Sequence, residues 1–209
     1  MIYLDYQATT PLAPEARDAM LQWLDTPDGT AFGNPHSPHR MGRMAAAAVD
    51  LARERVAALF PPNGQVIFTS GATEAINLAM RGCPGKGAIS VSAIEHAAVL
   101  DTAYAIGKAH ELNVAKDGQC NVKQDIPNDT KLVCVMQVNN EIGVIQPTVE
   151  FHRKAKESGA LYLCDAVQAY GKMPLAGADM IAVSAHQIHG PKGIGALWVR
   201  NGIELEPQQ

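Results

Sequence analysis

Short apolar runs alternate with helix-forming segments through most of this chain, and this alternation constrains the fold more than any other feature. The runs with strand character are QVIFT, AISVS, KLVCVMQV, ALYLCD, DMIAVS and IGALWVR. The intervening segments GATEAINLAMRG, AAVLDTAYAIGKAH and TVEFHRKAKESG are typical of helices. Because the strands are apolar throughout instead of alternating, they predict a three-layer α/β fold, a mostly parallel sheet with helices on both faces.

Two further helices are predicted ahead of this pattern. Proline at the start favours a first helix from Pro14 to Leu24. An alanine-rich segment predicts a long helix from about Arg40 to Phe60, with an apolar stripe along one side. The 209 residues show no internal repeat and no low-complexity linker, so we expect one main domain.

Charge and cysteine content bear on partners and compartment. The formal net charge is −4, without a block of like charges, so nucleic acid and acidic membranes are not expected as partners. The four cysteines include no CxxC pair, and Cys134 and Cys164 lie in apolar runs, which favours a reducing compartment. The N-terminus does not read as a signal peptide, and no apolar run approaches the ~20 residues of a membrane span. We therefore expect a cytoplasmic protein.

Polar residues follow several predicted strands, at the edge where open parallel sheets bind ligands. Ser70 to Glu74 leads from QVIFT into a helix, where free N–H groups and the hydroxyls of Ser70 and Thr73 suit a phosphate. The alternative is an ordinary helix cap with Glu74 in the first turn. His96 follows AISVS, and it either supports the structure or stacks on a planar ligand.

Asp165 is the most informative single residue on this edge. It ends the apolar strand ALYLCD, where a buried carboxylate is costly unless a partner such as a protonated heterocyclic nitrogen compensates it. Asn139 and Asn140 follow KLVCVMQV, and they either form a turn or reach a polar ligand atom.

Two HxxH pairs raise the question of a zinc site. His36/His39 and His186/His189 both lie in loops rich in Gly and Pro, without a CxxC partner or a helical HExxH motif. We therefore expect no metal. Ser184 and His186 instead suit the anion site proposed above.

Segments along essentially the whole chain, in the same order, carry a resemblance to a known family. They are YLDYQATTP, FGNPHS, FTSGATEAINLA, EHAAVLDT, VNNEIGVIQP, CDAVQAYGK and SAHQIHGPKGIGALWVR. The chain resembles the large domain of cysteine desulfurases, pyridoxal-phosphate enzymes of the class V aminotransferase group. This likeness implies fold type I, with residues 13–209 as the cofactor-binding large domain and residues 1–12 as part of a small domain that is mostly absent.

The resemblance implies a role for each residue around pyridoxal 5′-phosphate. Ala72 and Thr73, with Ser184 and His186, would hold the cofactor phosphate. His96 would stack on the pyridine ring and is one of the two catalytic positions.

The resemblance also implies which residues contact the ring nitrogen and the phenolic oxygen, and which residue stands at the position of the Schiff-base lysine. Asp165 would pair with the protonated ring nitrogen, and Gln168 and Asn140 would approach the phenolic oxygen or the substrate. The second catalytic position is Gln187, where the family has the lysine that forms the Schiff base. A carboxamide is neither a useful nucleophile nor a base, and Lys192 belongs to the family's glycine-rich turn, so we expect the cofactor to bind without a covalent bond.

The same resemblance leads us to expect an inactive chain. The family's catalytic cysteine loop and a substrate-binding arginine would lie beyond the last residue, and the first dozen residues would be weakly anchored without the small domain. The implied function is sulfur mobilisation from L-cysteine for iron–sulfur cluster or thio-cofactor assembly, in a homodimer that serves a scaffold or sulfur-acceptor protein. The alternative is a non-catalytic module that binds the cofactor or pairs with a complete desulfurase or a complementary chain. An unrelated aminotransferase of the same fold is disfavoured by FGNPHS and VNNEIG.

Overall fold

The alternating segments form a single seven-stranded sheet in the computed structural model, which describes residues 2–24 and 31–208. A short 3-10 helix, Ala185–Gln187, follows the sixth strand. The helices and strands, in chain order, are α1 (Pro14–Leu24), α2 (Arg40–Ala57), β1 (Gly64–Thr69), α3 (Ala72–Gly82), β2 (Ala88–Ser92), α4 (Ala97–Ile106), β3 (Ala109–Leu112), β4 (Thr130–Cys134), α5 (Thr148–Ser158), β5 (Leu161–Asp165), β6 (Met180–Ser184) and β7 (Gly195–Arg200).

The sheet is mostly parallel, as predicted. Its strand order is β1-β7-β6-β5-β4-β2-β3. The neighbours from β3 to β6 are parallel, whereas β7 runs antiparallel to both β6 and β1. The carboxyl ends of β2, β4, β5 and β6 therefore meet at one edge, where the predicted ligand residues follow them.

Two hydrophobic clusters, one on each face of the sheet, confirm the three layers. Helices α3 and α4 cover one face around Ile76, Met80 and Leu132. Helices α2 and α5 cover the other face around Phe151 and Tyr162. Among the described helices, none has the length and apolar character needed to cross a membrane.

Two helices are shorter than the sequence predicts. Helix α4 ends at Ile106 because Gly107 takes a φ of 107°, in the left-handed region that favours glycine. The predicted helix segment ends with Ala109 and His110, and these two residues instead begin strand β3 (Ala109–Leu112), which pairs with β2. Helix α2 ends at Ala57 instead of Phe60, whose ring turns into the core. Pairing and burial override local helix propensity at both places.

The strand predicted over KLVCVMQV also ends early, at Cys134. Beyond Cys134 the main chain no longer pairs as a strand, and it forms hydrogen bonds with residues at or just after the ends of other strands. The N–H of Met136 donates to the Glu95 carboxylate, and the N–H of Gln137 donates to the main-chain oxygen of Asp165. This departure joins the ends of three strands at the ligand edge.

Residues 7–13, here called the N-terminal strap, are anchored firmly. The N–H and hydroxyl of Thr10 both donate to the main-chain oxygen of His186, at 2.9 and 2.8 Å. The N–H of His189 donates to the Thr10 hydroxyl at 2.7 Å, and Ala13 N–H donates to the oxygen of His189 at 2.9 Å. The expectation of weak anchoring is wrong for the strap, because main-chain groups supply contacts that side-chain patterns do not reveal.

Candidate cofactor site

A cavity of about 760 Å³ lies at the carboxyl edge of the parallel strands, large enough for a small phosphorylated ligand. The residues singled out from the sequence for cofactor binding or catalysis all line it, although they come from different parts of the chain. They are Ala72, Thr73, His96, Asn140, Asp165, Gln168, Ser184, His186 and Gln187. The fold thus brings together the whole predicted set, and the role of each residue stays a prediction.

The start of α3 forms one end of the cavity. This helix begins at Ala72, and its first N–H groups have no acceptors within the helix. Gly71, the residue before it, has no side chain that could cap them. Glu74 turns back and accepts a hydrogen bond from the N–H of Ser70 at 2.7 Å. The capping interaction and a free, electropositive helix end are therefore both present, and the sequence alternatives are compatible. Ser184, buried at the end of β6, lines the same cavity.

His186 is set up as a neutral imidazole near this end. Its Nδ1 lies 3.2 Å from the hydroxyl of Thr9. Burial, and to a lesser degree the charge of Lys192, lowers the pKa of His186. Lys192 also lines the cavity and supplies a full positive charge there. In residues 2–24 and 31–208, no group of three His, Cys, Asp or Glu side chains is arranged to hold a metal ion.

His96 caps helix α4 and also reaches the cavity. Its Nδ1 accepts a hydrogen bond from the N–H of Ala98 at 3.0 Å, so a neutral ring carries its proton on Nε2. This bond fixes the orientation of the ring. The structural and the stacking interpretations of His96 are therefore compatible.

Asp165 is the buried acid of the site, with 7% of its surface exposed. Its Oδ1 accepts a hydrogen bond from the N–H of Val167 at 2.9 Å. Burial raises the pKa of the Asp165 carboxyl, while the Val167 hydrogen bond and His96 act in the opposite direction. No salt bridge within the described ranges includes Asp165. The pocket therefore fits a ligand with a cationic ring nitrogen, which would compensate this carboxylate.

Gln187 is buried between the cavity and the N-terminal strap. Its Nε2 donates to the main-chain oxygens of Gln7 and Ala8, at 2.8 and 2.9 Å. Gln168 Nε2 donates to the same Gln7 oxygen at 2.8 Å. The strap residues Gln7, Ala8 and Thr9 thereby form a wall of the cavity that sequence reasoning missed. Main-chain oxygens make most of these contacts, so the segment YLDYQATTP carries no side-chain signal for them.

Glu95, directly before His96, is a second buried acid that the sequence did not single out. Its Oε1 accepts a hydrogen bond from the N–H of Met136 at 2.7 Å, and its Oε2 is buried without a partner. Burial raises the pKa of Glu95 to about 8, the nearby charge of Asp165 adds to this, and the Met136 hydrogen bond opposes it. Glu95 therefore holds a proton near neutral pH and adds no full negative charge beside Asp165.

We expect Glu95 to make the stability of the protein depend on pH. A group whose pKa rises from 4.5 to about 8 on folding stabilises the folded state at low pH and loses that contribution as the pH rises through this window. The free energy of unfolding should fall by a few kcal/mol between these pH values, because each unit of pKa is worth about 1.4 kcal/mol. Urea denaturation at several pH values measures it.

The variant Glu95→Gln tests whether Glu95 causes this pH dependence, and Glu54→Gln is its matched control. Glu95→Gln keeps an acceptor for Met136 N–H and removes the titration, so the decline should flatten. Glu54 is exposed on α2, and its replacement should leave the decline unchanged. An equal decline in Glu95→Gln and in the unchanged protein would assign the effect to other groups.

Comparison with known proteins identifies the class. The family model for class V aminotransferases matches residues 2–208, and this chain belongs to that family. Two cysteine desulfurases are among its relatives. IscS from Dictyoglomus turgidum is 39% identical over 99% of this chain and 56% of its own length. IscS from Klebsiella pneumoniae (strain 342) is 43% identical with the same coverage of both chains.

A solved structure of a related protein has the same fold as this chain. SspA in complex with cysteine superposes with a TM-score of 0.90 and 34% identity, over 100% of this chain and 65% of that one. The chain spans only about half the length of the curated relatives. The resemblance to cysteine desulfurases and the fold type I large domain are confirmed, and the homologous desulfurases and class V aminotransferases depend on pyridoxal phosphate.

Proposed function

We propose that this chain is the cofactor-binding domain of a cysteine-desulfurase-type protein and that it holds pyridoxal 5′-phosphate without a covalent bond. Asp165 carries this proposal. A buried carboxyl without a salt-bridge partner among the described residues, on the wall of a ligand-sized cavity, is costly unless a cation binds there. The protonated ring nitrogen of the cofactor is such a cation.

The phosphate would bind where the α3 N-terminus meets the end of β6. Ala72 and Thr73 offer main-chain N–H groups with the positive end of the helix dipole behind them. Ser184 and His186 add a hydroxyl and a neutral imidazole, and Lys192 adds positive charge at the same cavity. This donor set fits a dianion better than it fits a neutral group.

The ring would lie between His96 and the end of β5. When bound, the cofactor supplies an electron sink for reactions at the α-carbon of an amino acid. Asp165 would keep the ring nitrogen protonated, and His96, held by its cap, would present its ring as a stacking surface. Gln168 and Asn140 line the same cavity, and their side chains would approach the phenolic oxygen or the substrate.

Two features support the proposal that the described residues do not themselves release sulfur from L-cysteine. Gln187 offers no amine for attachment or for proton transfer at the α-carbon. All four cysteines are buried, and burial raises the thiol pKa of Cys83 and Cys120 to about 11, so the reactive thiolate is scarce. Sulfur transfer to an iron–sulfur scaffold or another acceptor would therefore need an amine and an accessible thiol from elsewhere. The free cysteines are consistent with a cytoplasmic location.

One observation favours pairing with a second chain as an additional role. In the described part of the protein, α1 has no buried residue, and Leu21, Trp23 and Leu24 on it are exposed. Leu51 on α2 is also exposed near the groove between the two helices. Contiguous exposed apolar side chains are typical of interaction surfaces. We propose that this surface supports a homodimer or a pair with a complementary chain.

Calorimetric titration with pyridoxal 5′-phosphate and with pyridoxal tests the cofactor site. We expect the phosphorylated compound to bind on the order of 100-fold tighter, since several charge-assisted hydrogen bonds form only with the phosphate. Equal affinity for the two compounds, or binding of neither, would contradict the proposed function.

A further inference from the structure

The side-chain amide of Gln187 has a fixed orientation. Both hydrogens of its Nε2 are used, one by the main-chain oxygen of Gln7 and one by that of Ala8. Turning the amide over would place Oε1 against two carbonyl oxygens, so the orientation follows from the strap itself. The strap is in turn held by the Thr10 hydrogen bonds to His186 and His189.

The opposite atom of this amide has no partner. Gln187 lines the cavity with only 4% of its surface exposed. Its Oε1 is buried and accepts no hydrogen bond. A buried acceptor without a donor costs free energy. Gln187 can therefore accept a hydrogen bond at Oε1 but has no hydrogen left to donate.

We infer that Gln187 makes this site selective for the amine form of the cofactor, pyridoxamine 5′-phosphate, over forms without a donor at that carbon. The inference rests on the proposed function, because it requires the ring nitrogen at Asp165. The carbon that bears the amine or the aldehyde lies opposite that nitrogen across the ring, toward the remaining cavity wall. An amine there donates to Gln187 Oε1, whereas an aldehyde oxygen is itself an acceptor and leaves Oε1 unsatisfied.

The comparison that isolates this contact uses two ligands that differ only in the group on one ring carbon. Pyridoxamine 5′-phosphate carries the amine, and 4′-deoxypyridoxine 5′-phosphate carries a methyl group on the ring in its place. Neither can react with lysine, so Lys192 does not complicate the measurement. Calorimetric titration should show the amine compound binding roughly 10- to 100-fold tighter, as expected for a hydrogen bond from a charged donor to a buried acceptor.

Three variants locate the cause of this preference. Gln187→Met keeps the volume and removes the acceptor, so the ratio of the two affinities should fall to about twofold or less. Gln187→Lys places a cation against the amine and should invert the preference. Gln65→Met makes the same exchange at an exposed glutamine on β1, and it should leave the ratio unchanged.

The outcomes separate the inference from the proposed function. Equal affinities in the unchanged protein would overturn the inference and leave the cofactor site standing. A preference retained in Gln187→Met would also overturn it, because the acceptor would then be another group. If neither phosphorylated ligand binds, the inference and the proposed function fail together. The full preference, lost in Gln187→Met and kept in Gln65→Met, supports both.

Discussion

Replacing Asp165 with asparagine is expected to weaken binding of pyridoxamine 5′-phosphate by about 100-fold or more, because breaking a buried ion pair typically costs 3–5 kcal/mol. The same change should stabilise the protein in the absence of ligand. The Asp165 carboxyl is buried and its pKa is raised by burial, so the empty protein pays for desolvation that a neutral amide avoids. Calorimetric titration and urea denaturation measure the two effects on the same sample.

Opposite signs for stability and affinity distinguish this account from simple damage to the fold. A variant that merely unfolds the site would lose both. Asp101→Asn, an exposed acid on α4, is the matched control and should change neither quantity appreciably. Asp165→Asn with unchanged affinity would show that the carboxylate does not face the ligand.

Replacing Gln187 with lysine is expected to convert non-covalent binding into covalent attachment. The unchanged chain, incubated with pyridoxal 5′-phosphate and reduced with borohydride, should carry no stoichiometric label. Gln187→Lys should be labelled at position 187, because an amine there has the nucleophilic pair that a carboxamide lacks. Peptide mass spectrometry locates the label.

The same variant distinguishes covalent attachment of the cofactor from release of sulfide from L-cysteine. Gln187→Lys should still release no sulfide from L-cysteine, because all four thiols are buried. Lys192→Met in the same background should leave the label in place. Stoichiometric label on Lys192 in the unchanged chain, or sulfide release by Gln187→Lys alone, would contradict the expected chemistry.

The sequence predicted the ligand edge well because strand ends are local features. An apolar run followed by Asp165, or by Glu95 and His96, places those residues at the edge of the sheet once the strands are parallel. The residues Ser70 to Glu74 illustrate why two interpretations could not be separated from spacing. The structure contains both the Glu74 hydrogen bond and the uncapped start of α3.

Contacts between distant segments of main chain could not be predicted. The bonds from Gln187 to the strap oxygens join residues 180 and 179 positions apart, and nothing in YLDYQATTP identifies its carbonyl groups as acceptors. The proton on Glu95 is a similar case, since it depends on complete burial and on the neighbouring Asp165. Strand β3 was missed because its pairing with β2 outweighs the helical character of its sequence.

The nitrogen NMR spectrum of pyridoxamine 5′-phosphate, isotopically labelled at the ring nitrogen and bound to the protein, is the most direct test of the site. If the carboxylate of Asp165 faces that nitrogen, the bound ligand should keep the shift of a protonated ring well above the pH at which the free compound loses its proton. A bound resonance that follows the titration of the free compound would mean that no carboxylate meets the ring, and the proposed orientation of the cofactor would be wrong.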